Sequence, residues 1–363
     1  MISHPVRCSG ITWWWLAICC WSAGSHLVAA EAGKGEGKWV DLGQGVRLEV
    51  VYLPAGTFMM GSTPEERAWA AGPEGQAASG KGGDGRENFE GDPRPTRIPH
   101  GLWMGRTEVT VAQFRRFAAS SGYVTDAEQP GGETQVFDRE WVPARKVPPH
   151  PWKSVAGRSW RDPDFGFPLR DDHPVVCVSW NDCMAFCEWL TKREREAGRL
   201  PSGLVYRLPT DAEWEYACRG GRESTIFWWG NDLKDGKGRL NINGRDHLPG
   251  RRSGWMRAEA PWEDGFAMLS PVDHHGARGR NGFGLAAMLG NVWEICLDHW
   301  DPKGAHEDVC LDDTPRRVCR GVSFLAIPGF SRCAVRLGLR GHSYSDSRDG
   351  FRICLGVPRG KKR

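Results

Sequence analysis

The 363-residue sequence lacks a strong excess of charge of either sign, and it lacks a long hydrophobic run. Its 48 Lys and Arg residues nearly balance 45 Asp and Glu residues, which gives a formal net charge of +3. Proteins that bind nucleic acid or an acidic membrane surface usually carry a clear basic excess, so neither partner is expected. The apolar stretch at residues 11–21 is too short to span a bilayer comfortably.

Several catalytic signatures are also absent. The 11 histidines show no H-E-x-x-H spacing, and the sequence contains no G-x-S-x-G elbow and no phosphate-binding glycine loop. These absences exclude three common classes: the zinc metalloproteases with that helix motif, the α/β-hydrolases and the P-loop NTPases. No internal repeat is visible, which argues against a solenoid.

The residues that are abundant indicate a loop-rich globular protein. Hydrophobic residues make up 40% and charged residues 26%, enough for a sizeable core in a soluble protein. The 47 Gly and 24 Pro residues follow no period, which favours many turns and loops. The 19 Trp residues are unusually many, and we interpret most of them as anchors of the core and of loops.

The N-terminus is typical of a secretory signal peptide at residues 1–30. Arg7 precedes the apolar stretch at 11–21, and the small residues at 28–30 suit a cleavage site. A lipoprotein signal through Cys19 is disfavoured by the bulky residue that precedes it. The mature chain is therefore expected in the periplasm or outside the cell, with no membrane anchor, in a compartment where disulfides persist.

Removal of the signal leaves nine of the 12 cysteines, an odd number, so at least one thiol is free or pairs with another chain. The nine are Cys177, Cys183, Cys187, Cys218, Cys296, Cys310, Cys319, Cys333 and Cys354.

Patterns along the mature chain predict a few helices among strands and loops. Residues 31–38 read as a flexible leader, and 72–91 as a surface loop. Thr110 and Gln113 form a capping-box spacing at a helix start. Residues 173–190 predict a buried strand followed by a helix capped near Asn181.

The clearest helix lies within residues 207–221, which read RLPTDAEWEYACRGG. Thr210 and Glu213 have capping-box spacing, and Gly220 suits a left-handed C-terminal cap. Trp214, Ala217 and Cys218 give it one apolar face. After residue 230 the signals are of short strands and turns, so the fold class is α+β. Residues 357–363 form a basic tail.

The segment 207–221 resembles the signature of the formylglycine-generating enzyme, or sulfatase-modifying factor, domain family. Similar motifs follow in order along the chain: PAGTFMMGS (54–62), TEVTVAQFRRF (107–117), SGYVTDAE (121–128), WRDPDFG (160–166), DHPVVCVSWNDC (172–183), NGFGLAAMLGNVWEI (281–295), RVCRGVS (317–323) and GFRIC (350–354). The resemblance implies a single α+β domain over residues 39–356, with a loop-rich architecture like that of C-type lectins.

The resemblance does not extend to the family's copper ligands. Its oxidases convert a sulfatase cysteine to formylglycine with O₂ and a copper ion held by two thiolates, which suit soft Cu(I). Both thiolates lie in the loop that matches residues 324–332 here, and this loop contains no cysteine. Copper is therefore not expected. We expect a binding or accessory protein that holds a peptide, protein or glycan in the lectin-like groove. The alternative is an active oxidase with a relocated metal site.

The resemblance also implies two disulfides, Cys218–Cys333 and Cys187–Cys354. Each closes a long loop and should stabilise the fold by about 4–5 kcal/mol in the chain-entropy model. The use of the other cysteines stays open, with Cys310–Cys319 as one candidate for a third bridge.

Calcium is the metal that the resemblance favours, since the matching ligands are hard oxygens. The first implied site comprises Asn241, Ile242, Asp264 and Phe266. The second comprises Gly290, Val292 and Glu294, although Ala287 stands where the family usually has Asn or Asp. The competing interpretation is that these side chains only cap turns.

Ser323 and Trp293 match positions that line the family's substrate groove. A structural role in the turn is the alternative for both residues.

Overall fold

The structure is a computed structural model that describes Met1 and residues 33–75, 90–138, 152–245, 259–301 and 316–359. The cleavage site and apolar stretch of the predicted signal peptide, and Cys310, lie outside the described residues. Within the described part of the chain, no helix is long and apolar enough to cross a membrane.

The larger sheet has five strands in the order β1-β2-β5-β13-β8, and every neighbouring pair is antiparallel. Its strands span Gly37–Gly43 (β1), Val46–Leu53 (β2), Leu102–Gly105 (β5), Val205–Arg207 (β8) and Cys354–Gly356 (β13). Strand β13 from the end of the described chain therefore joins β5 to β8.

The second sheet has four strands in the order β11-β10-β9-β12, and β12 pairs with β9 in parallel. Its strands span Trp293–His299 (β9), Arg316–Arg320 (β10), Arg336–Arg340 (β11) and Asp349–Gly350 (β12). Two smaller pairs complete the strands: β3 (Gly56–Met60) with β4 (Arg94–Ile98), and β6 (Glu133–Phe137) with β7 (Trp152–Ala156). The predicted α+β class is confirmed.

Four α-helices are described, and all begin at a side-chain cap. They span Pro64–Ala71 (α1), Val111–Ser121 (α2), Trp180–Glu196 (α3) and Asp211–Arg219 (α4). The capping box predicted at Thr110 is present at the start of α2. Helix α1 was not predicted, although Thr63 followed by Pro64 is an N-terminal signal that could have found it.

The region before α3 differs from the prediction. Residues 175–178 are all fully buried, as expected, but they form no strand. Cys177 has φ of 57°, a left-handed conformation that breaks an extended run. The helix begins two residues earlier than predicted, because Ser179 and not Asn181 is its cap and forms a capping box with Asp182.

Helix α4 has the predicted caps, with Thr210 at its start and Gly220 left-handed at its end. It is not amphipathic, however, since every residue from Asp211 to Arg219 is buried. Its buried residues Asp211 and Glu213 form ion pairs with arginines from strands β8, β10 and β11. The Asp211 carboxylate lies 2.5 Å from Arg320 and 2.8 Å from Arg336. The Glu213 carboxylate lies 2.7 Å from Arg207.

Candidate functional site

The loop that would hold the copper thiolates is instead apolar and packed into the core. Phe324 is fully buried, and Leu325 and Ile327 are 6% and 7% exposed. Phe324 and Leu325 join a small core cluster that includes Trp152, Phe165 and Val292. The loop therefore fills space as hydrophobic packing does, and its side chains carry no metal ligand of the soft type.

The turn that begins this loop is strained. Val322 has φ of 62° and is fully buried, although a β-branched residue is a genuine outlier in the left-handed region. The surrounding packing holds Val322 there, since strain of about 1–3 kcal/mol persists only where neighbours over-determine the conformation.

The far end of the loop is fixed by a buried arginine. Arg332 Nη1 lies 2.9 Å from Glu66 Oε1, and Arg332 Nη2 lies 2.5 Å from Glu90 Oε1. Arg332 Nε also donates a hydrogen bond to the carbonyl of Gly329, within a 3-10 turn at Pro328–Phe330. Burial raises the pKa of Glu66 to about 7 even though Arg332 opposes that shift. The loop is thus tied to α1 and to the segment before β4.

The first implied calcium site has oxygen atoms suited to a cation. Asn241 is 2% exposed, and among the described residues none donates a hydrogen bond to its Oδ1. Its Nδ2 donates to the carbonyl of Met268 at 2.7 Å, which fixes the orientation of the amide. The Asp264 carboxylate accepts hydrogen bonds from the backbone N–H groups of Ile242 and Phe266, both at 3.0 Å. The unsatisfied oxygen of Asn241 and the Asp264 carboxylate, which is oriented by the N–H of the adjacent Ile242, are hard oxygen ligands of the kind that Ca²⁺ takes.

The second implied calcium site does not fit the ion. Glu294 is 1% exposed, and both its oxygens accept hydrogen bonds from Arg352 at 2.5 Å. Trp214 Nε1 donates a further hydrogen bond to Glu294 Oε2 at 2.7 Å. The guanidinium already supplies the positive charge that the carboxylate needs, so this carboxylate is a structural partner of Arg352.

Asn291 and Glu108 are buried residues near both implied sites that sequence reasoning missed. Asn291 Nδ2 donates a hydrogen bond to Glu108 Oε1 at 3.1 Å. Burial, reinforced by the charge of nearby Glu294, raises the pKa of Glu108 to about 8 despite the opposing effect of Arg352. The sequence signal was the motif around residues 290–294, but it gave no indication that Asn291 reaches Glu108, 183 positions earlier.

The two groove candidates lie in different environments. Ser323 is 3% exposed, and its Oγ accepts a hydrogen bond from the N–H of Leu325, as a turn residue does. Trp293 is half-buried, and its backbone N–H donates a hydrogen bond to the carbonyl of Arg348 at 2.8 Å. Arg348 in turn stacks over the ring of Trp152, 3.8 Å from its centroid. Trp293 is therefore the better candidate for contact with a ligand.

Comparison with known proteins decides the family. The model of the sulfatase-modifying factor enzyme 1-like domain matches residues 44–356. The chain belongs to this family. The formylglycine-generating enzyme of Mus musculus is 32% identical over 305 residues, which cover 79% of this chain and 70% of that relative. The inactive C-alpha-formylglycine-generating enzyme 2 of Bos taurus is 30% identical over 338 residues, covering 89% of this chain and 93% of that relative.

A solved structure with a similar fold is PvdO from Pseudomonas aeruginosa. It superimposes with a TM-score of 0.59 at 22% identity, covering 88% of this chain and 98% of PvdO. At this identity the likeness concerns the fold alone, which the two proteins share.

The described cysteines of this sulfatase-modifying factor domain are buried thiols, and none of them lies within the loop at residues 324–332. All eight described cysteines are free and buried. Cys218 Sγ lies 3.5 Å from Cys333 Sγ, in contact but beyond the disulfide bond length of about 2.05 Å. Burial raises the pKa of Cys187, and the neighbouring Cys354 raises it further. Both predicted pairs are thus neighbours, and their oxidation stays a prediction.

Within the described ranges, no group of three or more His, Cys, Asp or Glu side chains is arranged to hold a metal ion. Asp298, just after the GNVWE motif, has a structural role: its Oδ2 accepts a hydrogen bond from the backbone N–H of Asp211 at 2.6 Å.

Proposed function

We propose that this chain is an exported, non-oxidising member of the sulfatase-modifying factor family that binds a polypeptide at the face around Trp293. The observation that carries the proposal is the loop at residues 324–332. It has no thiolate, it is buried in the core, and Arg332 ties it down.

The packing of this loop argues against an easily restored copper site. The carbonyl of Ala326 accepts a hydrogen bond from the backbone N–H of Asn243 at 3.0 Å. The N–H of Ala326 donates to the carbonyl of Ser323 at 2.8 Å. A cysteine at this position would stand alone, because the rest of the loop is committed to packing and to the ion pairs of Arg332. Two thiolates in one place need a different loop.

Family membership does not decide the activity, since function depends on the site and not on the fold. Relatives of similar identity carry both kinds of name: a formylglycine-generating enzyme from Mus musculus and an inactive one from Bos taurus. The absence of the thiolate pair favours the second kind for this chain.

A polypeptide is the favoured ligand for two reasons. The family resemblance implies recognition of an extended peptide around a cysteine, and recognition does not require the copper chemistry. Half-buried tryptophans such as Trp293 are also frequent anchors of protein interfaces, because the ring buries a large area at low entropic cost.

The test is anaerobic titration with Cu(I), followed by O₂ uptake on a Cys-x-Pro-x-Arg peptide, with the formylglycine-generating enzyme of Mus musculus as the positive control. We expect no O₂ uptake above background. The same peptide should bind, and Trp293→Ala should weaken binding while Trp39→Ala should not. Trp39 is the matched control because it is 62% exposed on the edge strand β1. Turnover, or equal loss in both variants, would overturn the proposal.

A second candidate function is oxidation through the adjacent thiols of Cys218 and Cys333, whose sulfurs are 3.5 Å apart. Both thiols are fully buried, which leaves no access for a peptide in this conformation. Stoichiometric Cu(I) binding that is lost in Cys218→Ser would support this alternative.

We also propose one bound Ca²⁺, held by Asn241 Oδ1, the Asp264 carboxylate and the carbonyls of Ile242 and Phe266. The ion would supply charge that fixes the loop at residues 262–266 against the segment at 241–242. Export rests on the signal peptide predicted at residues 1–30, and a fusion of these residues to a reporter tests it by secretion and N-terminal sequencing.

A further inference from the structure

Asn291 joins three segments that are distant in sequence. Its Oδ1 accepts hydrogen bonds from Asn241 Nδ2 at 3.2 Å and from the N–H of Ser270 at 3.0 Å. Its Nδ2 donates to Glu108 Oε1 at 3.1 Å and to the carbonyl of Ser270 at 3.2 Å. With 1% exposure, the side chain has no recourse to bulk water, so these bonds hold its orientation.

The first consequence concerns the amide of Asn241. Because Asn241 Nδ2 donates to both Met268 and Asn291, the amide cannot flip without losing two hydrogen bonds. This arrangement presents Oδ1 as the free atom of the amide, and Oδ1 is the atom that a cation requires. The backbone adds a second tie, since the N–H of Asn291 donates to the carbonyl of Asn241 at 2.8 Å.

The second consequence concerns the loop that replaces the copper site. The carbonyl of Asn291 accepts a hydrogen bond from the N–H of Phe324 at 2.9 Å. Val292 and Phe324 then pack in the same small core cluster. Trp293 is the residue after Val292, so Asn291 is linked to the loop by a hydrogen bond and to the tryptophan along the chain.

The conformation of Asn291 makes these contacts simultaneous. Its φ is 65°, in the left-handed region that asparagine tolerates better than most residues. In this conformation the backbone groups of Asn291 reach Asn241 on one side and Phe324 on the other. The side chain meanwhile reaches Glu108 and Ser270.

We infer that Asn291 is a positioning residue that couples calcium at Asn241 both to the buried loop at residues 321–327 and to the polypeptide-binding face around Trp293. Binding of the ion holds the Asn241 amide, and Asn291 transmits this restraint to Phe324 through its carbonyl and to Trp293 along the chain. Peptide binding at this face is therefore calcium-dependent although the ion does not touch the peptide. The inference rests on the calcium site and ligand face proposed above.

The test compares Asn291→Gly with wild type, because glycine keeps the left-handed backbone and removes only the side-chain bonds. Calcium affinity is measured by calorimetry, and exchange of the amides at residues 320–327 is followed by hydrogen–deuterium exchange with and without calcium. In wild type, calcium should slow exchange of this segment about tenfold. In Asn291→Gly, calcium should bind at least about tenfold more weakly, as is typical for loss of a group that orients a ligand.

The variant should also show no slowing of exchange in the 320–327 segment at saturating calcium. Asn281→Ala is the matched control, since Asn281 is another buried asparagine, bonded to the carbonyls of Ala217 and Cys218. It should lower stability without changing calcium affinity or the calcium-induced protection.

The outcomes separate the inference from the proposals on which it rests. Calcium binding to wild type without protection of residues 320–327 would overturn the coupling and leave the calcium site intact. Full protection in Asn291→Gly would remove Asn291 from the coupling. Absence of calcium binding to wild type would overturn both the coupling and the calcium proposal.

Discussion

Replacement of Arg332 by Met would test whether the loop at residues 324–332 is held by charge. Arg332 is fully buried between Glu66 and Glu90, which are 7% and 5% exposed. Methionine fills a similar volume but leaves two buried carboxylates without a cation. Breaking a buried ion pair in this way costs about 3–5 kcal/mol. For a domain of more than 300 residues, with an unfolding entropy of about 2.1 cal/mol/K per residue, that loss lowers Tm by roughly 4–8 °C.

The loss should depend on pH in a direction that the structure sets. The pKa of Glu66 is raised to about 7 by burial, and removal of Arg332 raises it further. The unfolded chain ionises Glu66 near pH 4.3, so the folded variant retains a proton that the unfolded chain loses. Stability of Arg332→Met should consequently fall more steeply than that of wild type as the pH rises from 5.5 to 8.

Urea denaturation at pH 5.5 and pH 8 measures both effects. Arg115→Met is the control, because Arg115 forms an ion pair with Asp171 at the surface and such pairs contribute at most about 1 kcal/mol. A loss in Arg332→Met no larger than in the control, or an identical loss at both pH values, would refute the reasoning.

Three further predictions concern single residues. Ala287→Gly should raise the free energy of unfolding by about 0.5–1 kcal/mol, because Ala287 has φ of 50°, in the left-handed region that glycine adopts without strain. Thermal denaturation measures this effect. The control is Ala286→Gly at the neighbouring position, which should lower the stability. Glu108→Gln should flatten the pH dependence of stability, because the pKa of Glu108 is raised to about 8 in the folded protein. The contribution of the protonated carboxyl to stability is therefore fully present below about pH 4 and is lost as the pH rises through 8. Denaturation of the variant from pH 5 to 8 gives the free energy of unfolding as a function of pH. Its slope should be smaller than that of wild type by up to about 1.4 kcal/mol per pH unit. An unchanged slope would contradict the raised pKa of Glu108. Asp264→Ala should lower Tm in calcium but not in a chelator, and equal shifts in both would remove the calcium site.

Local signals predicted three of the four described helices, but they did not predict what surrounds those helices. The caps of α2 and α4 depend on residues three positions apart, so Thr110 and Thr210 were readable from the sequence. The burial of α4 on all sides could not be predicted from the sequence, because Asp211 pairs with Arg320, which lies 109 positions later. A charged residue in a helix pattern predicts solvent exposure unless its distant partner is known.

In the candidate site too, features set by neighbouring residues were predicted from the sequence, whereas features set by distant partners were not. The missing thiolates are a property of residues 324–332 and were evident from the sequence alone. The second calcium site was inferred from Glu294 in its motif, whereas the structure pairs Glu294 with Arg352, 58 positions away. The buried strand predicted ahead of the helix within residues 173–190 was wrong for a backbone reason, since apolar composition does not reveal the left-handed φ of Cys177.

The place of β13 in the larger sheet has a consequence for the order in which the chain folds. Cys354 pairs with Met104 on one side and with Arg207 on the other, so β5 and β8 have no ladder between them until residues 354–356 arrive. A ribosome must therefore complete nearly the whole described chain before this sheet can close. Arg359 adds to this closure, since its guanidinium lies 2.9 Å from Glu213 at the start of α4. Truncation before residue 354 should abolish folding instead of producing a shorter stable domain, and an affinity tag belongs beyond Arg359.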